Sequence, residues 1–74
     1  MSKLPMLSAD DVIKALKRMG FKIVRQSGSH IHLWDDDQRA LVTVPNHPEL
    51  MKGTLNRIIK QSKRERDEFL SFVR

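Results

Sequence analysis

No cysteine occurs in the chain, so neither a disulfide framework nor a thiolate metal site can form. That absence suits a reducing compartment, and the cytoplasm is the expected location. Apolar runs are only a few residues long, too short to span a membrane. The opening stretch MSKLPML lacks the apolar segment of a secretion signal. Internal repeats and a linker are missing too. A chain of 74 residues leaves room for one domain, residues 1–74, and for no second core. At this size only about 60% of the unfolded surface is buried, so the helices must pack economically. Acidic residues are the minority, nine against 14 Lys and Arg, a net charge of +5. Such an imbalance favours a polyanionic partner such as nucleic acid, or simply keeps a small domain in solution. The 39% hydrophobic content is enough for a core and too high for a disordered chain.

What is present is strongly patterned. LSADDVIKALKRMGF predicts a helix with both ends marked: Ser8 and Asp11 as a capping box, Gly20 as the left-handed terminator. Val12, Ile13, Ala15, Leu16 and Met19 fall on one arc, with Lys14, Lys17 and Arg18 opposite. Three β-prone runs follow, Phe21 to Gln26, Ser29 to Trp34 and Arg39 to Val44. Turns at Ser27-Gly28 and Asp35 to Gln38 join them into an antiparallel meander. In the middle run Ile31 and Leu33 point one way and His30, His32 and Trp34 the other. Pro45 and Pro48 end the sheet. A second helix is expected from about Lys52 to Gln61, with Leu55, Ile58 and Ile59 inward. Ser62 and Glu65 suggest a capping box for a last short helix burying Phe69, Leu70, Phe72 and Val73. The fold class is α+β, order α-β-β-β-α-α, with helices on one face of a three-stranded antiparallel sheet.

The chemistry-bearing residues gather around RQSGSHIHLW. Gly28 lets the backbone turn sharply, and Ser29 and the turn amides can donate to phosphate oxygens. Arg25 can supply a fixed cation there. A histidine at position 30 can exchange a proton near neutral pH. RNA carries its own nucleophile, the 2′-hydroxyl, so a positioned acid or base is useful without a metal and contributes about 10²–10⁴-fold. On spacing alone, an ordinary exposed strand histidine explains His30 as well. His32 shares its direction and could assist, as could His47 in VPNHPE, although a plain loop histidine accounts for His47 equally. The three histidines match no zinc-ligand spacing, so no metal and no other cofactor is expected. Lys52, Gly53 and Thr54 open the second helix, where free amides and the dipole attract phosphate. Lys14 and Lys17 offer further phosphate contacts. KRERDE reads as a solvated helix start. Trp34, the one tryptophan, is better suited to packing than to stacking on a base. Val24 and Leu41 add an apolar patch on the histidine face, where another protein could dock.

These residues also carry a resemblance. LKRMGFKIVRQSGSHIHL followed by VTVPNHPELMKGTLNRIIKQ resembles the HicA (YcfA-like) toxins of bacterial and archaeal toxin–antitoxin pairs, from about Ser8 to Gln61. The resemblance implies a fold like the double-stranded-RNA-binding domain and a ribosome-independent endoribonuclease that cleaves mRNA and arrests translation. It implies a HicB-type antitoxin partner that covers the active surface. It also implies that His30, in the GSH element with Gly28 and Ser29, is the catalytic residue; the loop histidine of the second element corresponds to His47. Position 27 is Ser where the family often has Lys, which removes a cation from the turn. Two other readings stay open: a non-catalytic RNA-binding module of the same fold, and a pure protein-docking domain.

Overall fold

The computed structural model describes residues 4–73; the first three residues of MSKLPML and Arg74 lie outside it. Its first helix, α1, runs Ala9–Met19. The Ser8 hydroxyl accepts the Asp11 amide at 3.1 Å, and the Asp11 carboxylate accepts the Ser8 amide at 3.2 Å. These reciprocal bonds, the backbone one first, hold the Asp11 carboxyl below the usual aspartate range. Gly20 ends the helix at φ 114, a conformation that side chains with a Cβ rarely adopt. The predicted apolar arc is buried as drawn: Val12, Ile13, Ala15, Leu16 and Met19 all face inward.

Strands β1 (Lys22–Ser27), β2 (His30–Asp35) and β3 (Ala40–Pro45) form an antiparallel sheet in that order. Each predicted run shifts by one residue toward the C-terminus. For the first two runs the reason is the turn, which uses Gly28 and Ser29 rather than Ser27 and Gly28; the third starts later because Arg39, at φ 51, still belongs to the second turn. Gly28 sits first at φ 59 while Ser29 stays at negative φ, so the residue that tolerates positive φ takes the position that demands it. Asp35, expected in the second turn, instead ends β2 and is only 3% exposed. One of its carboxylate oxygens accepts the Asp37 amide at 3.3 Å and shapes the turn from inside. The Lys63 ammonium donates to the carbonyls of Gln38 and Arg39 and fastens the turn from outside.

Helices α2 (Lys52–Gln61) and α3 (Arg66–Ser71) complete the chain. Both α1 and α2 pack on β3, and they bury the sheet face bearing Ile31, Leu33, Val42 and Val44. Leu55, Ile58, Ile59 and Phe69 close the same core. The expected Ser62–Glu65 capping box does not form. Ser62 is fully buried and donates its hydroxyl to the Ile59 carbonyl at 2.6 Å, closing α2, while Glu65 takes the N-cap position of α3 without a side-chain bond. Burial decided the outcome, because a hydroxyl without water must find the nearest free carbonyl.

Replacing Ser8 by Ala removes one half of the reciprocal cap and should cost about 1 kcal/mol, read as a lower melting temperature. Because folding lowers the Asp11 pKa, its stabilisation is fully present above the ordinary aspartate value. It fades as pH falls through the lowered one. An Asp11→Asn variant should lose that part of the acid dependence in denaturant titrations at stepped pH.

Candidate functional site

One face of the sheet is packed on helices and the other is open. Along β2 the alternation puts His30, His32 and Trp34 on the open face, each between cross-strand neighbours. His30 lies between Ser27 and Pro45, His32 between Arg25 and Thr43, and Trp34 between Lys22 and Leu41. His30 is exposed and His32 half-buried. The Nδ1 atom of His32 shares a hydrogen bond with the Thr43 hydroxyl at 3.0 Å, which fixes its ring. Trp34 is half-buried too, and its indole N–H donates to the Asp36 carboxylate at 2.7 Å, so it serves the second turn.

The turn beside His30 is tied to the loop after β3. The Asn46 amide donates to the Ser29 carbonyl at 2.6 Å. This bond sets the GSH element against the PNHP segment, which are far apart in the chain and adjacent in space. His47 is exposed, and its backbone works structurally: its carbonyl accepts the Ala9 amide at 3.0 Å and anchors the start of α1. The Leu50 amide donates to the Leu7 carbonyl at 2.8 Å on the same side. One end of the molecule therefore gathers the β1–β2 turn, His30, the His47 loop and the start of α1, with α2 beginning just beyond.

The two helix starts differ electrically. The first turn of α1 holds Asp10 and Asp11, carboxylates that already occupy the positive end of the dipole. The first turn of α2 has no acidic residue, and its N-cap, Met51, offers no side-chain acceptor. Of the two, α2 is the one suited to an anion. Lys52 opens it and is exposed; Thr54 lies inside the first turn and is half-buried. Lys14 and Lys17 are exposed on the outer side of α1. Arg18 is diverted from that stripe, since its guanidinium donates to the Phe72 carbonyl at 3.0 Å and holds the chain end.

Arg25 does not stand at the end of its strand. The β1–β2 register shifts between Ile23 and Arg25, so Val24 is an extra residue, a β-bulge. With regular pairing Val24 would oppose His32, and Arg25 would oppose Ile31 on the helix side. The bulge turns Arg25 to the open face instead. There Val24, Arg25, His32, Leu41 and Thr43 line a shallow hollow of about 300 Å³. Thr43 and Leu41 were legible as outward positions in the alternation of RALVTV; the bulge had no signal, because no glycine marks it. Among the described residues, no group of three or more His, Asp or Glu stands close enough together to hold a metal ion. No helix there is long and apolar enough to cross a membrane.

Comparison with known proteins gives one family. The model described as HicA toxin of bacterial toxin–antitoxin systems matches residues 9–63, which takes in α1, the sheet and α2. A search of curated proteins finds no match.

Gly28 is surrounded by open space, with no atom within 4 Å of a Cβ placed on it. Substituting Ala there should therefore cost only backbone strain, about 1–2 kcal/mol. Gly28→Asn, which tolerates the left-handed region, should recover most of the loss in a thermal melt.

Proposed function

This chain belongs to the HicA toxin family, and from that premise we propose that it is a cytoplasmic endoribonuclease. It cleaves mRNA with His30 in proton transfer and is held in check by a HicB-type antitoxin. The observation that carries the reading is the setting of His30. An exposed imidazole stands at the end of an open sheet face, beside a glycine turn and one loop away from an uncapped helix start.

The chemistry follows from that setting. The Ser29 hydroxyl and the turn amides donate to the non-bridging oxygens of one phosphodiester. The start of α2, with Lys52, takes a neighbouring phosphate through amides that no side chain has claimed. Thr54, half-buried in that first turn, stands beside the contact. Lys14 and Lys17 lie on the outer side of α1 and follow the strand further, which makes affinity fall steeply with salt. The ribose 2′-oxygen attacks phosphorus, loses its proton, and the 5′-oxygen leaves with one. His30 moves a proton at this step. No metal is needed along this route, because the nucleophile belongs to the substrate and the cations are supplied by side chains. His47, on the loop bonded to Ser29, is an auxiliary phosphate contact. The antitoxin covers the open face and withdraws His30 from RNA.

A His30→Ala protein should fold with an unchanged far-ultraviolet spectrum and melting temperature. Its cleavage of RNA should fall by at least about 10²-fold, with loss of toxicity in cells. Cleavage at the parent rate would remove His30 from the mechanism. EDTA should leave the parent rate unchanged. RNA retained on the parent protein with no product on a gel would support a non-catalytic binding module instead.

A further inference from the structure

The hollow around His32 is not required to bind a phosphodiester at His30, and yet the fold spends a bulge on it. We propose that it is a nucleobase pocket, selective for guanine, that receives the base of the nucleotide whose phosphate meets His30. This inference rests on the ribonuclease reading above and names the feature of the substrate that the same face selects.

Three observations carry it. The first is the bulge at Val24, which reverses the side on which Arg25 projects and delivers its guanidinium to the open face. Bulges are common at sheet edges and beside binding sites, where they re-aim a side chain, and on this edge strand the re-aimed side chain joins the histidine face. The second is the lining. Val24 and Leu41 are 57% and 50% exposed, two aliphatic surfaces facing solvent beside polar groups from Arg25, His32 and Thr43. A base is flat and apolar on its faces and polar at its rim, and this mixture fits one. The volume of about 300 Å³ stands at the lower limit of ordinary ligand pockets. The third is position. His30 and His32 are two residues apart on one strand, roughly 6.6 Å along it at the usual rise. That spacing lets one nucleotide present its phosphate to the first and its base to the second.

The polar groups choose among bases. An arginine fork offers two parallel donors, and guanine presents two adjacent acceptors, O6 and N7. Adenine places a donor where one of those acceptors would be, and the arginine repels it. The larger face of a purine also fills the span between Val24 and Leu41 better than a pyrimidine does. His32 lends its ring as a stacking surface, kept in orientation by the Thr43 hydroxyl at 3.0 Å. A docking protein would be served by the apolar pair alone and would have no need of a guanidinium brought to the open face by a bulge.

Short single-stranded RNAs that differ only at the nucleotide bearing the reacting 2′-hydroxyl test the proposal. The parent should cleave after guanine about tenfold faster than after adenine, the size of discrimination a bidentate arginine contact gives. Arg25→Lys keeps the charge and loses the fork, and the ratio should fall to about 1. Arg25→Gln should favour adenine, whose N6 and N7 suit an amide. Melting curves of each variant separate loss of selectivity from loss of fold. Binding is read independently of cleavage in the His30→Ala protein. Guanosine monophosphate should shift the amide resonances of Thr43 and Leu41, and cytidine monophosphate should not. If RNA is cleaved with equal rates after all four bases, or Arg25→Lys keeps the guanine preference, the pocket is refuted while the ribonuclease reading stands. If no RNA is cleaved, the ribonuclease reading fails and the nucleotide shifts alone decide the pocket. Absence of those shifts, together with antitoxin binding abolished by Leu41→Asp, would make the hollow a protein-docking surface and overturn the proposal.

Discussion

Everything on the open face depends on the register of one strand. The six residues of β2 alternate without interruption, so Ile31 and Leu33 enter the core and the two histidines are turned away from it. A slip of one residue would bury both imidazoles and expose both aliphatic side chains. Burial of Ile31 and Leu33 against the helices therefore holds His30 out at the same time. The glycine at position 28 fixes where the strand begins, because a two-residue turn admits only one pairing of the flanking chains. Core and open face are set by the same geometric rule, and a domain this small has little other means of holding an exposed imidazole in place.

The second constraint is electrostatic and concerns which end of the molecule can take an anion. Two helices begin near the His47 loop, and the chain treats them oppositely. The start of α1 is filled by its own capping box and acidic first turn, while α2 begins at Met51 with no side-chain cap and no acidic residue in its first turn. The bond from Asn46 to Ser29 and that from Ala9 to the His47 carbonyl bring the turn, the loop and the start of α1 together. The net charge of +5 belongs to the whole chain, yet the helix start that lacks a side-chain cap is local, one loop beyond the exposed histidine.

Much of this arrangement was legible in the sequence. The α1 arc, its caps, the three strands, the α2 stripe and the facing of His30 and His32 all follow from periodicity and from residues with one conformational preference. What escaped had a common cause: a tertiary contact outweighed a local preference. Ser62 resembles a cap by spacing, but burial sends its hydroxyl back to Ile59. Asp35 resembles a turn residue by type, but its carboxylate is drawn inside to organise the turn. Arg25 reads as a cation beside the Gly28 turn, but β1 runs on to Ser27 and an unmarked bulge turns Arg25 to the open face opposite His32. A bulge follows from strand pairing, and pairing is not encoded in any window of a few residues. Nearness of the two family elements through Asn46 and Ser29 was invisible for the same reason.

The edges of the sheet show how an open face is kept from indiscriminate pairing. Strand β3 has two of its outward amide positions blunted: the Thr43 amide donates to the Gln61 side chain at 3.1 Å, and Pro45 has no amide to offer. Strand β1 buries none of its six residues and is held chiefly by its ladder to β2. Such a strand invites a foreign chain to add to it. The bulge at Val24 interrupts its regular outer edge, and Lys22 and Arg25 place charge on it. The bulge that brings Arg25 to the histidine face also spoils the edge for strand addition. Two demands, a re-aimed cation and a protected border, are thus met by one inserted residue, and removing it would expose the edge as well as empty the face.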